Sequence, residues 1–412
     1  MAAVGNTADV AVIGGGVVGL ATAIELAGAG HRVRVIEAFD FARGTSHGNA
    51  GLLCPSYVTP MASPQMLLAA IGWLMRGEGP LTLARAPWHG DMARWLARFV
   101  RACASGGRGA TTRFLADLAR RSIDWYAEFD YGAPELGFSR DGWLYVYNSA
   151  RGFDDGLRHA QAMESAGLEA HVLGAAGAVA LEPALRAPIG AVHYPGDAHL
   201  DPHAFIAVAV KRAMDMGVEL LGNTRVLAIM SRRNEVMLET ENGTMTASEV
   251  VLAAGSASAA LARALGCRLP MLPARGHSIS LVGDYRPRMP LLLAEAHLVL
   301  TPMPGRVRVT GGLELGSQDP SPDVLQAETM AVEAGKYLAG NGRGYADAWV
   351  GFRPLTPDGL PIIGRLSRNP RVIAASGHGT LGMTLAPATA QIVRSVIEGQ
   401  VEPREVSPRR FG

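Results

Sequence analysis

Hydrophobic residues recur along this chain in two rhythms. ADVAVIG (8–14) is a nearly continuous β-branched run, the mark of a strand buried on both faces. An Ala- and Leu-rich stretch then predicts a helix to Gly28–Gly30, and RVRVIE (32–37) a second strand. The same rhythm returns late. VVLAAG closes a strand at Gly255, RVIAAS (371–376) precedes a glycine-rich loop, and a helix starts near Thr384. VELLGNTRVLAIM (218–230) and GTMTASEVVLAAGSAS (243–258) read as strands separated by a polar turn around Asn234.

Between these lie segments with strand character and no intervening helices. DGWLYVYNS (141–149), GAVHYPG (190–196) and ARGHSISLVG (274–283) are three of them. LLLAEAHLVLTPM (291–303) and RVRVTGGLEL (306–315) add a hairpin through Pro304-Gly305. Asp201-Pro202 has the form of an N-cap followed by proline, opening a helix over 203–217. PQMLLAAIGWLMRGEGPL (64–81) and WHGDMARWLARFVRACA (88–104) read as amphipathic helices.

Composition narrows the class. At 412 residues two domains are the default, and 48% hydrophobic with 18% charged residues describes a well-buried α/β protein. A net charge of +1 without basic runs gives nucleic acid nothing to bind. Cys54, Cys103 and Cys267 form no CxxC pair and suit a reducing compartment. No stretch reaches the length of a spanning helix, so the expectation is a soluble, cytoplasmic protein. His193, His199 and His203 mimic metal-ligand spacing, but they flank the capped helix start, and no metal is expected.

The first chemical motif is Gly14-Gly15-Gly16-Val17-Val18-Gly19 between strand and helix. Gly14 allows the tight turn, Gly16 lets a diphosphate approach the backbone, and Gly19 lets helix and strand pack closely. The helix N-terminus offers N–H groups to phosphates, and Glu37 offers an acceptor to ribose hydroxyls. FAD and NAD both fit this much. After it, a nicotinamide enzyme would continue its βαβ units; this chain instead has a loop of small polar residues, Ser46, His47, Gly48, Asn49, Ala50 and Gly51. With Ala254-Gly255 and the GHGTLG loop (377–382), three glycine-rich loops collect at one end of the sheet, as the long FAD molecule requires.

GFRPLTPDGLPIIG (351–364) poses a separate question, because Arg353 is a permanent cation among glycines, prolines and aliphatics. Its partner is either Asp358 or a molecule that is not protein. A guanidinium fork fits a carboxylate bidentately and fixes the rest of a substrate in space.

GxGxxG with Glu37, SHGNAGLL, VVLAAG, GFRPLTPDGLPIIG and SGHGTLGMT follow one another in an order that resembles the D-amino-acid oxidase superfamily of flavoproteins. The likeness is greatest to the bacterial D-amino-acid dehydrogenases, and it runs from about residue 8 to 400. It implies a glutathione-reductase-like, Rossmann-type FAD-binding domain from 1–60, 196–266 and 346–412. It also implies an α+β substrate domain, on a mixed and largely antiparallel sheet, from 61–195 and 267–345.

Carried over by residue, the resemblance puts Gly14, Gly15, Gly16, Val17, Val18, Gly19 and Glu37 at the diphosphate and ribose. Ser46, His47, Asn49, Ala50, Gly51 and Leu52 fall along the flavin, and Val226 beside the adenine. Ala254 and Gly255 border the cofactor, and Gly377, His378, Gly379, Thr380 and Leu381 approach the ring. Arg353 becomes the clamp on a substrate carboxylate, with His378 a second catalytic candidate. Related sarcosine oxidases hold flavin covalently through a cysteine whose position is Gly351 here, so FAD is expected without a covalent bond.

The implied reaction is FAD-dependent oxidation of a D-amino acid to an imino acid, which hydrolyses to the 2-oxo acid and ammonia. Oxidation of a secondary amine of the D-proline, hydroxy-D-proline or sarcosine type is the alternative, since His277 stands where the dehydrogenases have tyrosine. An electron-transfer subunit without a substrate site is a third reading, against which Arg353 speaks. Tyr145, Tyr147, His277, Glu295 and His297 are candidates to line the substrate pocket. The electron acceptor is quinone or oxygen, and helices within 57–105 offer a peripheral contact with the inner membrane face.

Overall fold

The computed structural model describes residues 7–41, 43–76, 81–83, 90–106 and 108–411. Strand Thr7–Ile13 pairs in parallel with Val33–Ile36 on one side and Gly243–Leu252 on the other. Glu219–Leu221 and Asn369–Ser376 extend this parallel core at its two ends. The N-terminal half of Gly243–Leu252 carries the antiparallel pair Val226–Ser231 and Val236–Thr240, and Ile362–Leu366 completes an eight-stranded sheet. The segment 218–230 is thus two strands rather than one, broken at Gly222-Asn223, where Asn223 has φ 49°. Each half pairs with a different neighbour, a split that hydrophobicity does not encode.

Helix Val17–Gly28 covers this sheet and packs against Gly382–Ile397, which in turn meets Arg108–Asp130. Leu20 and Leu26 are fully buried there, each contributing about 1.5–3 kcal/mol by removal from water. Helix Pro202–Asp215 begins where expected, with the Asp201 carboxylate accepting from His203 N at 2.9 Å.

A second sheet of nine strands holds the central segments. Gly342–Leu355, Leu272–Gly283, Arg306–Leu315 and Leu298–Met303 run antiparallel in that order. Leu291–Leu293 follows and joins Trp143–Tyr147 in parallel, then Gly190–Tyr194 and His171–Gly174. The sheet is therefore mixed and largely antiparallel. Its far face packs on helix Val324–Tyr337 through a separate apolar core around Ile279, Leu300 and Met330. Strand Gly342–Leu355 runs across the border expected at residue 346 and pairs along its length within this sheet, with Leu355 also bridging to His378.

The helix expected over 64–81 spans Pro64–Arg76, while Leu81 opens the short strand Leu81–Leu83 beside Arg306–Leu315. The one expected over 88–104 spans Gly90–Ala104. Residues 77–80 and 88–89, which also belong to those expectations, lie outside the described residues. No helix among the described residues is long and apolar enough to cross a membrane.

Candidate active site

A cavity of about 1120 Å³ runs between the two sheets, from Gly14 and Gly16 at one end to Arg353 at the other. It exceeds the roughly 300–1,000 Å³ of ordinary small-molecule sites. At the first end the turn out of Thr7–Ile13 needs glycine for steric reasons. Gly14 has φ 111°, and a Cβ there would lie 2.5 Å from Ala253 O; one on Gly19 would lie 1.8 Å from Gly14 O. Glu37 braces the loop, with Oε2 accepting from Gly15 N at 2.7 Å and Oε1 from Phe39 N at 3.1 Å. Gly15 and Gly19 stay outside the cavity wall, while Gly14, Gly16, Val17, Val18 and Glu37 line it. Val226 lines the same end beside Thr224 and Arg225, whose guanidinium lies 5.2 Å from the Phe39 ring centre.

Along the middle, the loop after Val33–Ile36 contributes Ser46, Asn49, Ala50 and Leu52 to the wall. Ser46 Oγ accepts from Val17 N at 3.1 Å, tying the loop to the helix N-terminus. Asn49 Oδ1 accepts from Gly51 N at 2.8 Å, and Gly51 (φ 72°) turns toward Leu200, whose carbonyl a Cβ would meet at 2.0 Å. Gly51 therefore packs behind the wall. His47, expected along the flavin, also lies outside it: its Nδ1 stands 3.0 Å from His203 Nδ1, at the start of helix Pro202–Asp215. Burial and the neighbouring His203 push the His47 imidazole down.

Ala254, Gly255, His378, Gly379 and Thr380 line the cavity from the opposite loops. Gly377 is set behind, where a Cβ would lie 2.7 Å from Thr356 Cγ2. Leu381 faces a side chamber of about 210 Å³ that shares Tyr57, Leu355 and His378 with the main cavity. Burial pushes His378 down to about 4, and its Nε2 is 2.9 Å from Thr389 Oγ1. The ring is neutral near pH 7 and tied to helix Gly382–Ile397.

Arg353 projects from Gly342–Leu355 at the register of Ala274. Its Nη1 donates to Gly312 O at 2.7 Å, and the guanidinium lies over Gly276, where a Cβ would meet Nη1 at 2.0 Å. It lines the cavity, and burial lowers its pKa while Tyr57 opposes that shift. Asp358 is held elsewhere, accepting from Arg410 Nε at 2.7 Å and Nη2 at 3.2 Å. Among the described residues Arg353 makes no ion pair.

Behind the wall sits a buried polar cluster. Asp197 Oδ1 accepts from Ser56 N at 3.1 Å, the Ser56 hydroxyl contacts Asp197 Oδ2, and Ser56 Oγ lies 3.2 Å from Tyr145 OH. Burial pushes the Asp197 carboxyl up to about 7. All three cysteines are free and buried.

The family model described as FAD dependent oxidoreductase (DAO) matches residues 9–395. The chain belongs to this family. A D-amino acid dehydrogenase of Paramagnetospirillum magneticum is 32% identical over 406 residues, covering 95% of this chain and 95% of that protein. Glycine oxidase from Geobacillus kaustophilus superposes with a TM-score of 0.79 at 22% identity, covering 99% of this chain and 98% of that one. L-proline dehydrogenase from P. horikoshii gives 0.72 at 20% identity, with the same coverage of 99% and 98%. The chain shares the fold of these two solved structures.

The residues present fit FAD. A Cβ on Gly16 would already meet Ser46 Oγ at 3.2 Å, while Gly255 and Gly382, both in the wall, have nothing within 4 Å of where a Cβ would be. The backbone is thus bare on two sides of a space long enough for a dinucleotide.

Sequence reasoning missed several wall residues in this DAO-family site. The Trp349 indole lies across both Gly48 and Gly351, with a Cβ on either falling 2.0–2.1 Å from its ring. The spacing Trp349-x-Gly351-x-Arg353 on one strand carried that signal, since alternate residues share a face. Trp73, Trp143, Thr224 and Arg225 also line the cavity without a motif to announce them. Of the substrate-pocket candidates, His277 and His297 are in the wall. Tyr145 and Tyr147 are buried in the core, and Glu295 caps the backbone at Asn148 and Ser149.

Proposed function

We propose that this protein oxidises a D-amino acid to its imino acid, which water converts to the 2-oxo acid and ammonia. The observation that carries the reading is the half-buried guanidinium of Arg353, facing the cavity with no carboxylate among the described residues to neutralise it. FAD, when bound, supplies a ring that accepts the hydride from the substrate's Cα. Arg353 binds the substrate carboxylate through its free N–H groups, and the Gly312 carbonyl fixes the plane of the guanidinium. That contact places Cα and excludes water from one side of the site. Among the described wall residues no carboxylate lies at the Arg353 end, so an ammonium would enter unpaired, and the amine binds in its neutral form. His378, neutral and held by Thr389, shapes the site without exchanging a proton.

The same features admit a secondary amine, because no described acid selects for a primary ammonium. The electron acceptor in this reading is quinone or oxygen. We assign the cofactor to 1–60, 196–266 and 346–412 and the substrate to 61–195 and 267–345; the two sheets support this division except at 346–355, which pair within the second sheet and bring Arg353 to the substrate side. The reading includes a cytoplasmic location, which the free thiols of Cys54, Cys103 and Cys267 support. The exposed Leu68, Ile71 and Val100 support a peripheral membrane contact within 57–105, which liposome sedimentation checks.

Anaerobic mixing of the yellow protein with D- and L-alanine, D-proline and sarcosine tests the reading. Bleaching of the flavin by D-alanine but not L-alanine is expected. Bleaching by sarcosine or D-proline alone would move the assignment to secondary amines, and air admitted afterwards reports on oxygen as acceptor.

A further inference from the structure

The Arg353 end of the cavity has largely apolar walls. Leu292, Val299 and Thr310 stand opposite one another on three successive antiparallel strands, so their side chains share a face, and all three line the cavity. Where the row ends, the Trp143 and Tyr57 rings meet with centres 5.5 Å apart. The hairpin end is bordered by Trp73 from helix Pro64–Arg76, set edge-on to His297 at 5.7 Å. Met66 and Ala70 line the cavity from the same helix.

Among the described residues of this end, charge is turned away from the cavity apart from Arg353. The nearest acid in sequence, Glu295, turns outward: its carboxylate accepts from Asn148 N at 3.1 Å, Ser149 N at 2.9 Å and Ser149 Oγ at 2.8 Å. Glu37 is bound to Gly15 N at the nucleotide end, and Arg225 lies beside Phe39 there. His277 and His297 are both pushed down by burial. Among the described residues Arg353 is the one permanent cation at this end, and the substrate's own carboxylate occupies it.

We propose that the amino acid oxidised here carries a large, uncharged, apolar side chain, seated between the Leu292–Val299–Thr310 row and the Trp73–His297 pair. This rests on the amino-acid reading above. A cationic side chain would be buried without a counter-ion, and so would a carboxylate. A methyl group would leave the aliphatic and indole walls without contact.

The test measures kcat/KM of the holoenzyme, and anaerobic flavin bleaching, for D-methionine, D-leucine, D-phenylalanine, D-alanine, D-lysine and D-glutamate. The large apolar substrates are expected to exceed D-alanine by about 10-fold or more, the scale of discrimination an apolar pocket gives. D-Lysine and D-glutamate should fall about 100-fold below D-methionine. D-Alanine matching the larger substrates, or D-lysine or D-glutamate rivalling D-methionine, overturns this inference while leaving amino-acid oxidation intact. Bleaching by none of the six overturns both. As a second arm, Ala294→Asp puts an acid at the hairpin end of the wall, away from Arg353. It should raise the D-lysine to D-methionine ratio about 10-fold. An unchanged ratio in a variant with normal flavin content and Tm also overturns the inference.

Discussion

Asp358 is bound by Arg410, at 2.7 Å and 3.2 Å, and not by Arg353 five residues before it in sequence. Arg410 also donates to Leu360 O at 2.9 Å, so the C-terminal turn is clamped onto the TPDGLP segment. Two arginines near one aspartate thus have separable duties. Arg353→Leu is expected to lower kcat/KM by about 10²–10³-fold, the scale for truncating one partner of a desolvated charge pair, with flavin content and Tm unchanged. Arg410→Ala should cost about 1–3 kcal/mol of stability and leave KM alone. Steady-state kinetics beside thermal melts on both variants checks the division, and reversed phenotypes would refute it.

The Trp349 ring fills the space beside Gly351, where a Cβ would fall 2.1 Å from Cη2. Gly351→Ala is therefore expected to destabilise by about 1–3 kcal/mol through overpacking. In a Trp349→Phe background, whose ring is shorter, most of that cost should vanish. A double-mutant cycle by denaturant unfolding measures the coupling, and additivity would show that the two residues do not press on each other.

Asp197 binds a proton more tightly folded than unfolded, its carboxyl raised from 3.8 to about 7 by burial. Its contribution to stability is full below about pH 4 and is lost as pH rises through about 7, a change on the order of a few kcal/mol. Asp197→Asn mimics the protonated acid and keeps partners for Ser56. The variant should flatten the decline in stability between pH 4 and 7, and a profile unchanged from that of the unsubstituted protein would place the titrating group elsewhere.

The pH profile of kcat/KM should rise toward alkaline pH as the substrate amine loses its proton. It should show no limb near 6.5, because His378 is held neutral down to about 4. A limb near 6.5 that disappears in His378→Asn would make this histidine a proton-transfer group.

Gly351, beside the Trp349 ring, carries no side chain to which the cofactor could attach. Acid precipitation is expected to release all of the yellow colour into the supernatant. Colour retained on the pellet would contradict non-covalent binding.

What could be read in the sequence was whatever local sterics or solvation decide. Gly19 is forced by Gly14 O within its own turn, and Gly14 by the positive φ of that turn, although the Ala253 backbone that also crowds it comes from a distant strand; a lone guanidinium in apolar company announces a missing anion. The rest depends on chain segments that meet only after folding. Asp358 and Arg410 lie 52 residues apart, and no pattern near either names the other. The 46–51 loop was legible as a loop, but not which side chains turn inward; His47 turns to His203, 156 residues away. Glu37 was read as a ribose acceptor, and the structure adds the loop N–H groups it already holds.

The first strand of the parallel core, Thr7–Ile13, takes a neighbour that ends at Leu252, and Asn369–Ser376 lies beyond that. At about 5–20 residues per second of synthesis, the nascent strand waits roughly 10–50 s for its partner. Over that interval Val10, Val12 and Ile13 have only the Val33–Ile36 edge to pair with, and their other edge is open to neighbouring chains. How much folded protein a cell obtains therefore depends on what shields that edge at the ribosome, and a bound chaperone is expected to raise the yield without altering a single native contact.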